Sequence, residues 1–327
     1  MSMGWFPIFA KSVLEKASLP IILTVITAEY SRPIIEGVLS GSKTSKRFHE
    51  VSYLNVSAIV EQLKRIVSII SPYFSSEPGT YFSDAMFFCL WDYIIFWNLN
   101  LHKVIVADVD MMFVGDIAEL WREFNKFNNN SILGIAPELS HTYRTFFREY
   151  RDSHPGTVIG EPTSGNGFPG VNSGILLLNL ERILRSGIFA KFIGDDIIGN
   201  PQDSEEIKKL KEEVNGRVTS VGDFVKKYSF VSGFGDQDFY TLLGAEYPEL
   251  IHIIPCVWNR QLCTKWAEVH YESKTLHEEL PMAPSPRLGP DMGPPSGFTE
   301  GSVHLPQQQH SSRRTKGGGI NKASLFA

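Results

Sequence analysis

The sequence is short of cysteine, with three in 327 residues: Cys89, Cys256 and Cys263. Three are too few for a disulfide framework, so the fold must rest on a packed core, and their odd number fixes no redox compartment. Long hydrophobic runs are also lacking. The longest, Met86 to Trp97, is broken by Asp92 and falls short of the roughly 18 to 20 apolar residues that cross a bilayer. At the N-terminal end, Trp5 to Ala10 is too short for a signal h-region and has no small-residue cleavage site behind it. Basic charge is not in excess. Thirty-one Lys plus Arg against 36 Asp plus Glu leave a net charge of -5, which argues against nucleic acid as the main partner. There is no internal repeat, and 43% hydrophobic with 20% charged residues is ordinary globular usage.

At about 150 residues per domain the length suits one large domain or two ordinary ones. Composition changes towards the C-terminal end, where residues 281–327 hold seven prolines and seven glycines but only two aromatics. Such a segment buries little apolar area, so 1–273 is read as the folded domain and 274–327 as a low-complexity, disordered tail. Within the body, short apolar runs read as buried strands: Pro20 to Thr27, Lys103 to Ala107, Ile132 to Ala136, Gly174 to Leu178 and Leu250 to Ile254. Helical patterns are expected over 56–70, 81–96, 116–126, 138–150, 180–193, 204–214 and 236–246. This alternation predicts an α/β fold with a mainly parallel central sheet and flanking helices.

The run Lys103-Val-Ile-Val-Ala-Asp108-Val109-Asp110 sets two carboxylates at i and i+2 where an apolar strand ends. In extended chain both point to one side, and ligands of open α/β sheets bind beyond the carboxyl ends of strands. Two carboxylates so close repel each other unless a cation lies between them, and hard oxygen ligands suit Mn²⁺ or Mg²⁺. Asp116, just before an apolar periodic stretch, reads instead as a helix N-cap. Two metal chemistries fit the pair. One is that of the haloacid-dehalogenase-like Mg²⁺-dependent phosphatases, with Asp108 as nucleophile, Met112 where that pattern has Thr or Val, and Asp195-Asp196 as a second acidic motif. The other uses the metal to hold the diphosphate of a nucleotide sugar.

Two further motifs bear on the choice. Val171-Asn172-Ser173-Gly174 opens a buried strand with amide and hydroxyl groups suited to sugar hydroxyls, and Gly174 permits close backbone approach. Gly233-Phe-Gly-Asp236-Gln237-Asp238 sets polar residues at the start of a helix, where Asp236 is a candidate N-cap. Gly165 to Gly170 matches G-x-G-x-x-G, but no strand precedes it and Pro169 sits where the helix would begin, so dinucleotide binding is set aside. Asn55-Val-Ser57 and Asn129-Asn-Ser131 are glycosylation sequons, meaningful only in a lumenal chain. His252 alternates within an apolar strand and reads as a core or edge histidine.

Taken together, Asp108-Val-Asp110, the Asn172-Ser-Gly174 strand, Gly235-Asp-Gln-Asp238, Ile135-Ala-Pro-Glu-Leu139, Arg144 to Tyr150 and Trp258-Asn-Arg-Gln-Leu-Cys263 resemble glycosyltransferase family 8, with the GT-A fold, over about residues 7–273. The resemblance implies retaining transfer of xylose from UDP-α-xylose, with Mn²⁺, forming an α-1,3 linkage to a xylosyl-glucose O-glycan on EGF-like repeats of the Notch type. It implies Asp108 and Asp110 as metal ligands and Val109 as a backbone contact to the nucleotide. Asn172, Gln237 and Asp236 would lie around the donor xylose and reaction centre, and Trp258 and Asn259 would face the acceptor. No residue is an obvious nucleophile, so attack on the face that UDP leaves is expected, with double displacement through Asp236 as the alternative.

The same resemblance implies a lumenal domain at the endoplasmic reticulum membrane, an anchor, and a base-binding strand ahead of Phe6 to Leu14. Neither anchor nor strand is legible there, and Phe6 to Leu14 reads as the helix after that strand. The family's third metal ligand, in a His-Gly-Asn-Cys motif, is likewise not found, since His277, His304 and His310 stand in other contexts. Nor do Cys256 and Cys263 have the downstream partners that the resemblance implies. A noncatalytic binder of UDP or of the glycan is therefore a further alternative.

Overall fold

The structure, a computed structural model, describes residues 5–41, 48–59, 73, 101–163, 166–186, 221–230, 234–261 and 322–326. The elements in chain order are α1 (Phe6–Lys16), β1 (Ile21–Thr27), α2 (Arg32–Gly41), β2 (Phe48–Asn55), β3 (Lys103–Asp108), α3 (Ile117–Arg122) and β4 (Leu133–Pro137). They continue with α4 (Thr142–Phe146), α5 (Arg148–Ser153), β5 (Val171–Asn179), α6 (Leu180–Ser186), α7 (Val221–Tyr228), α8 (Asp236–Glu246), β6 (Ile251–Ile253) and β7 (Lys322–Phe326). The helices expected over 81–96 and 204–214, and the Asp195-Asp196 motif, lie outside the described residues.

All seven strands form one sheet in the order β2-β1-β7-β3-β5-β4-β6. Five share one direction, as the α/β reading expects. The reversed β5 and β7 make the sheet mixed, because β3 and β4 pair antiparallel with β5, and β1 and β3 pair antiparallel with β7. Apolar runs disclose burial but carry no sign of direction, so reversal of β5 was not readable from them. Two strands lie outside the expected five. β2 mixes polar and apolar residues and is mostly half-buried or exposed, as befits an edge strand beside β1. β7, the described part of 274–327, lies between β1 and β3.

Side chains of successive strand residues point to opposite faces, and the core divides accordingly. Val104 and Val106 of β3, with Leu176 and Leu178 of β5, join Phe239, Leu242 and Leu243 of α8 in one cluster. Ile105 and Ala107, with Ile175 and Leu177, join Phe9 and Val13 of α1 and Leu120 of α3 in the other. Both faces of the central strands are therefore covered, which is why their sequences read as continuous apolar runs.

Asp116 caps α3 as expected, its Oδ1 accepting from the Ala118 N–H at 2.9 Å and from the Ser18 N–H at 3.1 Å. Partial burial opposes its charge, but hydrogen bonds from Ser18 and Ala118, with help from Arg122, outweigh it and hold the carboxyl below the usual range. A depressed folded value means stability that is present above the unfolded value, near pH 4, and lost as pH falls through the folded one. Asp116→Ala is accordingly expected to cost about 1 kcal/mol at pH 7, with the difference from the parent vanishing in thermal melts at acidic pH. Removal of residues 322–327 leaves the facing edges of β1 and β3 unpaired. At about 0.5 kcal/mol net per ladder bond this costs upwards of ~2 kcal/mol, so a lower melting midpoint is expected, and an unchanged one contradicts the placement of β7.

Candidate active site

The sheet's topology brings the sequence-expected residues to one edge. Asp108 ends β3; because β5 runs antiparallel to both β3 and β4, its first residues stand at the carboxyl ends of those strands. β6 runs parallel to β4 and delivers the turn Cys256–Asn259 to the same edge. α8 starts there too, Asp236 and Gln237 reaching Ser173 at the beginning of β5.

Local irregularity shapes the site. Between β4 and β5 the register jumps: β4 advances from Ile135 to Ala136 while β5 runs back from Leu176 to Asn172. Bulges of this kind re-aim side chains and leave backbone donors outside the ladder. Backbone donors in and beside the bulge find side chains instead. The Val171 N–H donates to Thr241 Oγ1 at 3.1 Å, the Ser173 N–H to Gln237 Oε1 at 3.3 Å and the Gly174 N–H to Asn172 Oδ1 at 3.1 Å. The Ser173 hydroxyl donates to Asp236 Oδ1 at 3.2 Å.

Asn172 is the hub. Its Nδ2 donates to Glu138 Oε2 at 2.9 Å, and its Oδ1 accepts from Asn259 Nδ2 at 2.7 Å. Gln237 Nε2 donates to the same Glu138 oxygen at 3.1 Å. Asn172, Gln237, Asp236 and Asn259 thus form one hydrogen-bonded cluster, in which only Asn172 is more than marginally exposed. The expected role of Gly174 is met: a Cβ there would stand 3.1 Å from Asn172 Oδ1 and 3.2 Å from Asn259 Nδ2. In contrast to the N-cap reading of Asp236, the cap of α8 is Gly235, and Asp236 is the first helical residue.

Behind this cluster the wall is aromatic. Tyr143, fully buried, donates to Asp238 Oδ1 at 2.9 Å, and Asp238 Oδ2 accepts from the Phe234 N–H at 2.8 Å. Burial and the Asp238 charge push the Tyr143 phenol well up, against hydrogen bonds with Thr241 and Gln237, so it stays a neutral donor.

The acidic pair stands apart from the amide cluster in its exposure. Asp108 is half-buried at the strand end, Val109 is buried, and Asp110 is exposed in the turn that follows. Among the described residues no third His, Cys, Asp or Glu gathers with them into a metal-binding group. Two carboxylates, one open to solvent, still fit a hard divalent ion that takes its remaining ligands from water and substrate phosphate. Trp258 joins the halves: its neighbour Asn259 belongs to the amide cluster, while a Cβ at Gly115, in the loop after Asp110, would lie 4.0 Å from its ring. His252 meets Glu123 at 3.4 Å rather than the site, and Cys256 is a buried free thiol that burial pushes up in pKa.

Glu138 belongs to the Ile135-Ala-Pro-Glu-Leu139 segment of the family resemblance, which implies no role for it. The available signal was a carboxylate one residue beyond a buried strand, the same position logic that singled out Asp108.

This fold occurs in a known protein. The crystal structure of apo mouse xyloside xylosyltransferase 1 superposes with a TM-score of 0.66 at 29% sequence identity, covering 84% of this chain and 87% of that one. The chain has the GT-A type fold of that enzyme. Human xyloside xylosyltransferase 1 is 33% identical over 256 residues, 76% of this chain and 58% of that protein. Zebrafish (Danio rerio) xylosyl- and glucuronyltransferase LARGE1 is 31% identical over 163 residues, 50% of this chain and 17% of that one. The chain thus spans somewhat over half the length of the xyloside xylosyltransferases it matches. No family model matches it.

The opening of β5 yields a stability test. Gly170, immediately before β5, has φ +91°, and a side chain there would run into the Tyr143 ring. Gly170→Ala should therefore destabilise the fold by roughly 2 to 3 kcal/mol. Thermal unfolding of the purified variant checks this, and a midpoint equal to the parent's contradicts the close approach.

Proposed function

We propose that the chain is a metal-dependent retaining xylosyltransferase, moving xylose from UDP-α-xylose to a xyloside acceptor. The finer acceptor is xylosyl-glucose on an EGF-like repeat, with an α-1,3 linkage formed in the lumen of the endoplasmic reticulum. The observation that carries this is the joint placement, at one sheet edge, of a carboxylate pair with one member open to solvent and a buried amide cluster. Similarity to the xyloside xylosyltransferases supports xylose over other sugars. Among the described residues no helix is long and apolar enough to cross a membrane.

In this reading Asp108 and Asp110 hold the divalent ion, Mn²⁺ or Mg²⁺, and Val109 meets the nucleotide through its backbone. The ion supplies charge stabilisation for the departing UDP. Asn172 and Gln237 face the donor xylose, their amides already fixed by Glu138 and by backbone donors, so little reorganisation is needed when sugar binds. Asp236, held by the Ser173 hydroxyl, stands beside them. Trp258 and Asn259, on the turn after β6, orient the acceptor. The incoming hydroxyl attacks on the face that UDP leaves and gives its proton to the departing phosphate, so no protein nucleophile is required.

The reading is tested by incubating the chain with UDP-xylose, Mn²⁺ and a xylosyl-glucosyl EGF repeat and following pentose addition by mass spectrometry. Addition that a chelator abolishes is expected, and Asp110→Ala should remove the dependence of UDP binding on Mn²⁺ concentration. Phosphate release from a phosphomonoester without pentose transfer would favour phosphatase chemistry, and saturable UDP or glycan binding without transfer would favour a noncatalytic binder.

A further inference from the structure

Glu138 lies one residue past β4, is 5% exposed, and accepts three hydrogen bonds. The Ser140 N–H donates to Oε1 at 2.8 Å; the amides of Asn172 and Gln237 both donate to Oε2, at 2.9 and 3.1 Å. We propose that Glu138 is the positioning residue of this site, fixing which way the Asn172 and Gln237 amides face without itself touching substrate. The inference rests on the reading of that cluster as the sugar site.

The argument is one of hydrogen-bond polarity. An amide side chain offers an acceptor on one side and a donor on the other, so a lone Asn or Gln accepts two orientations. A carboxylate offers acceptors alone, and both amides must therefore turn their NH₂ groups to Glu138. The Asn172 oxygen then faces the Gly174 N–H and Asn259 Nδ2, and the Gln237 oxygen faces the Ser173 N–H. Turning Asn172 over would set its NH₂ against two further donors. The polarity imposed by Glu138 passes through Asn172 to Asn259, so one buried carboxylate orders three amides on β5, α8 and the turn after β6. Sugar hydroxyls need donors and acceptors in set places, and a reversed amide would offer the wrong atom at a similar distance.

Glu138→Gln keeps the side chain's shape but removes its charge and replaces one acceptor by a donor, so in either orientation the amide pair loses its carboxylate acceptor, meeting an N–H or a neutral carbonyl oxygen instead. Three measurements on the full chain decide the matter: thermal melting, NMR of the Asn172 and Gln237 side-chain NH₂ groups, and the kinetics of pentose transfer. The expected result is a fold retained, both NH₂ resonances displaced, kcat lowered about 100-fold and the donor KM changed by no more than about threefold. Glu138→Asp keeps both acceptors on a shorter stem and should lose less; it also serves if the Gln variant does not fold. Unmoved NH₂ resonances overturn the proposal, as do displaced ones with kcat unchanged or an equal loss in both variants. If the parent chain transfers no pentose, the functional reading falls. The resonances alone then decide: displacement upholds Glu138 as the residue that orients the amides, and its absence overturns it.

Discussion

The candidate site depends on the bulge that opens β5. Taking Ser173 and its neighbours out of register with β4 frees backbone N–H groups in a buried place, and a buried donor without a partner costs more than a hydrogen bond returns. The structure answers with side chains, Gln237 from α8 and Asn172 from the strand itself, while Thr241 of α8 takes the N–H of Val171, which is paired in register with Pro137. α8 is therefore held to β5 by polar side chains as well as by its apolar packing. That is why a helix buried on nearly every side carries Asp, Gln, Asp and Thr among Phe, Tyr and Leu. The same bonds bring Asp236 and Gln237 to the sheet edge, so satisfying the bulge and building the site are one event.

Burial of polar groups at this density is tolerable only if the network is complete. Glu138 receives donors at both oxygens, Asn172 is engaged at both ends of its amide, and Asp238 takes the Tyr143 hydroxyl and the Phe234 N–H. The acidic turn is built on the opposite principle. Asp110 is left to solvent, and in the proposed reading it keeps its hydration until a cation and its phosphate ligand replace water. In the proposed reading, a rigid dry half and an open wet half, with Trp258 beside both, suit a substrate with a neutral sugar at one end and a charged diphosphate at the other.

Much of this was legible in sequence because it follows from residue type and position. The apolar runs at β1, β3, β4 and β5 announce strands covered on both faces; Asp108 and Asn172 stand where two of those runs end or begin, and Asp236 where α8 begins. What escaped was whatever depends on a partner distant in the chain. Phe48-His-Glu-Val-Ser-Tyr-Leu-Asn55 has the mixed character of an edge strand, readable as such only once β1 beside it is known. The bulge has no residue signature, since Ser173 and Gly174 would serve an ordinary turn as well. Glu138 carried a signal, a carboxylate just past a strand, but its weight comes from two amides 34 and 99 residues away.

β7 extends that dependence to the acidic turn. The edges of β1 and β3 both face β7, which pairs Ile26 and Asp108 alike with Lys322. An antiparallel strand needs no crossover helix to enter such a position, so a short segment distant in sequence is able to complete the sheet. The apolar alternation of β3 fixes which face each residue occupies, but the height of Asp108 relative to β1 is set through β7 alone among the described strands. Position of the carboxylate pair relative to the β1 end of the sheet is in this way a long-range property. The amide cluster, bounded by β4, β5 and α8, is determined by its own hydrogen bonds.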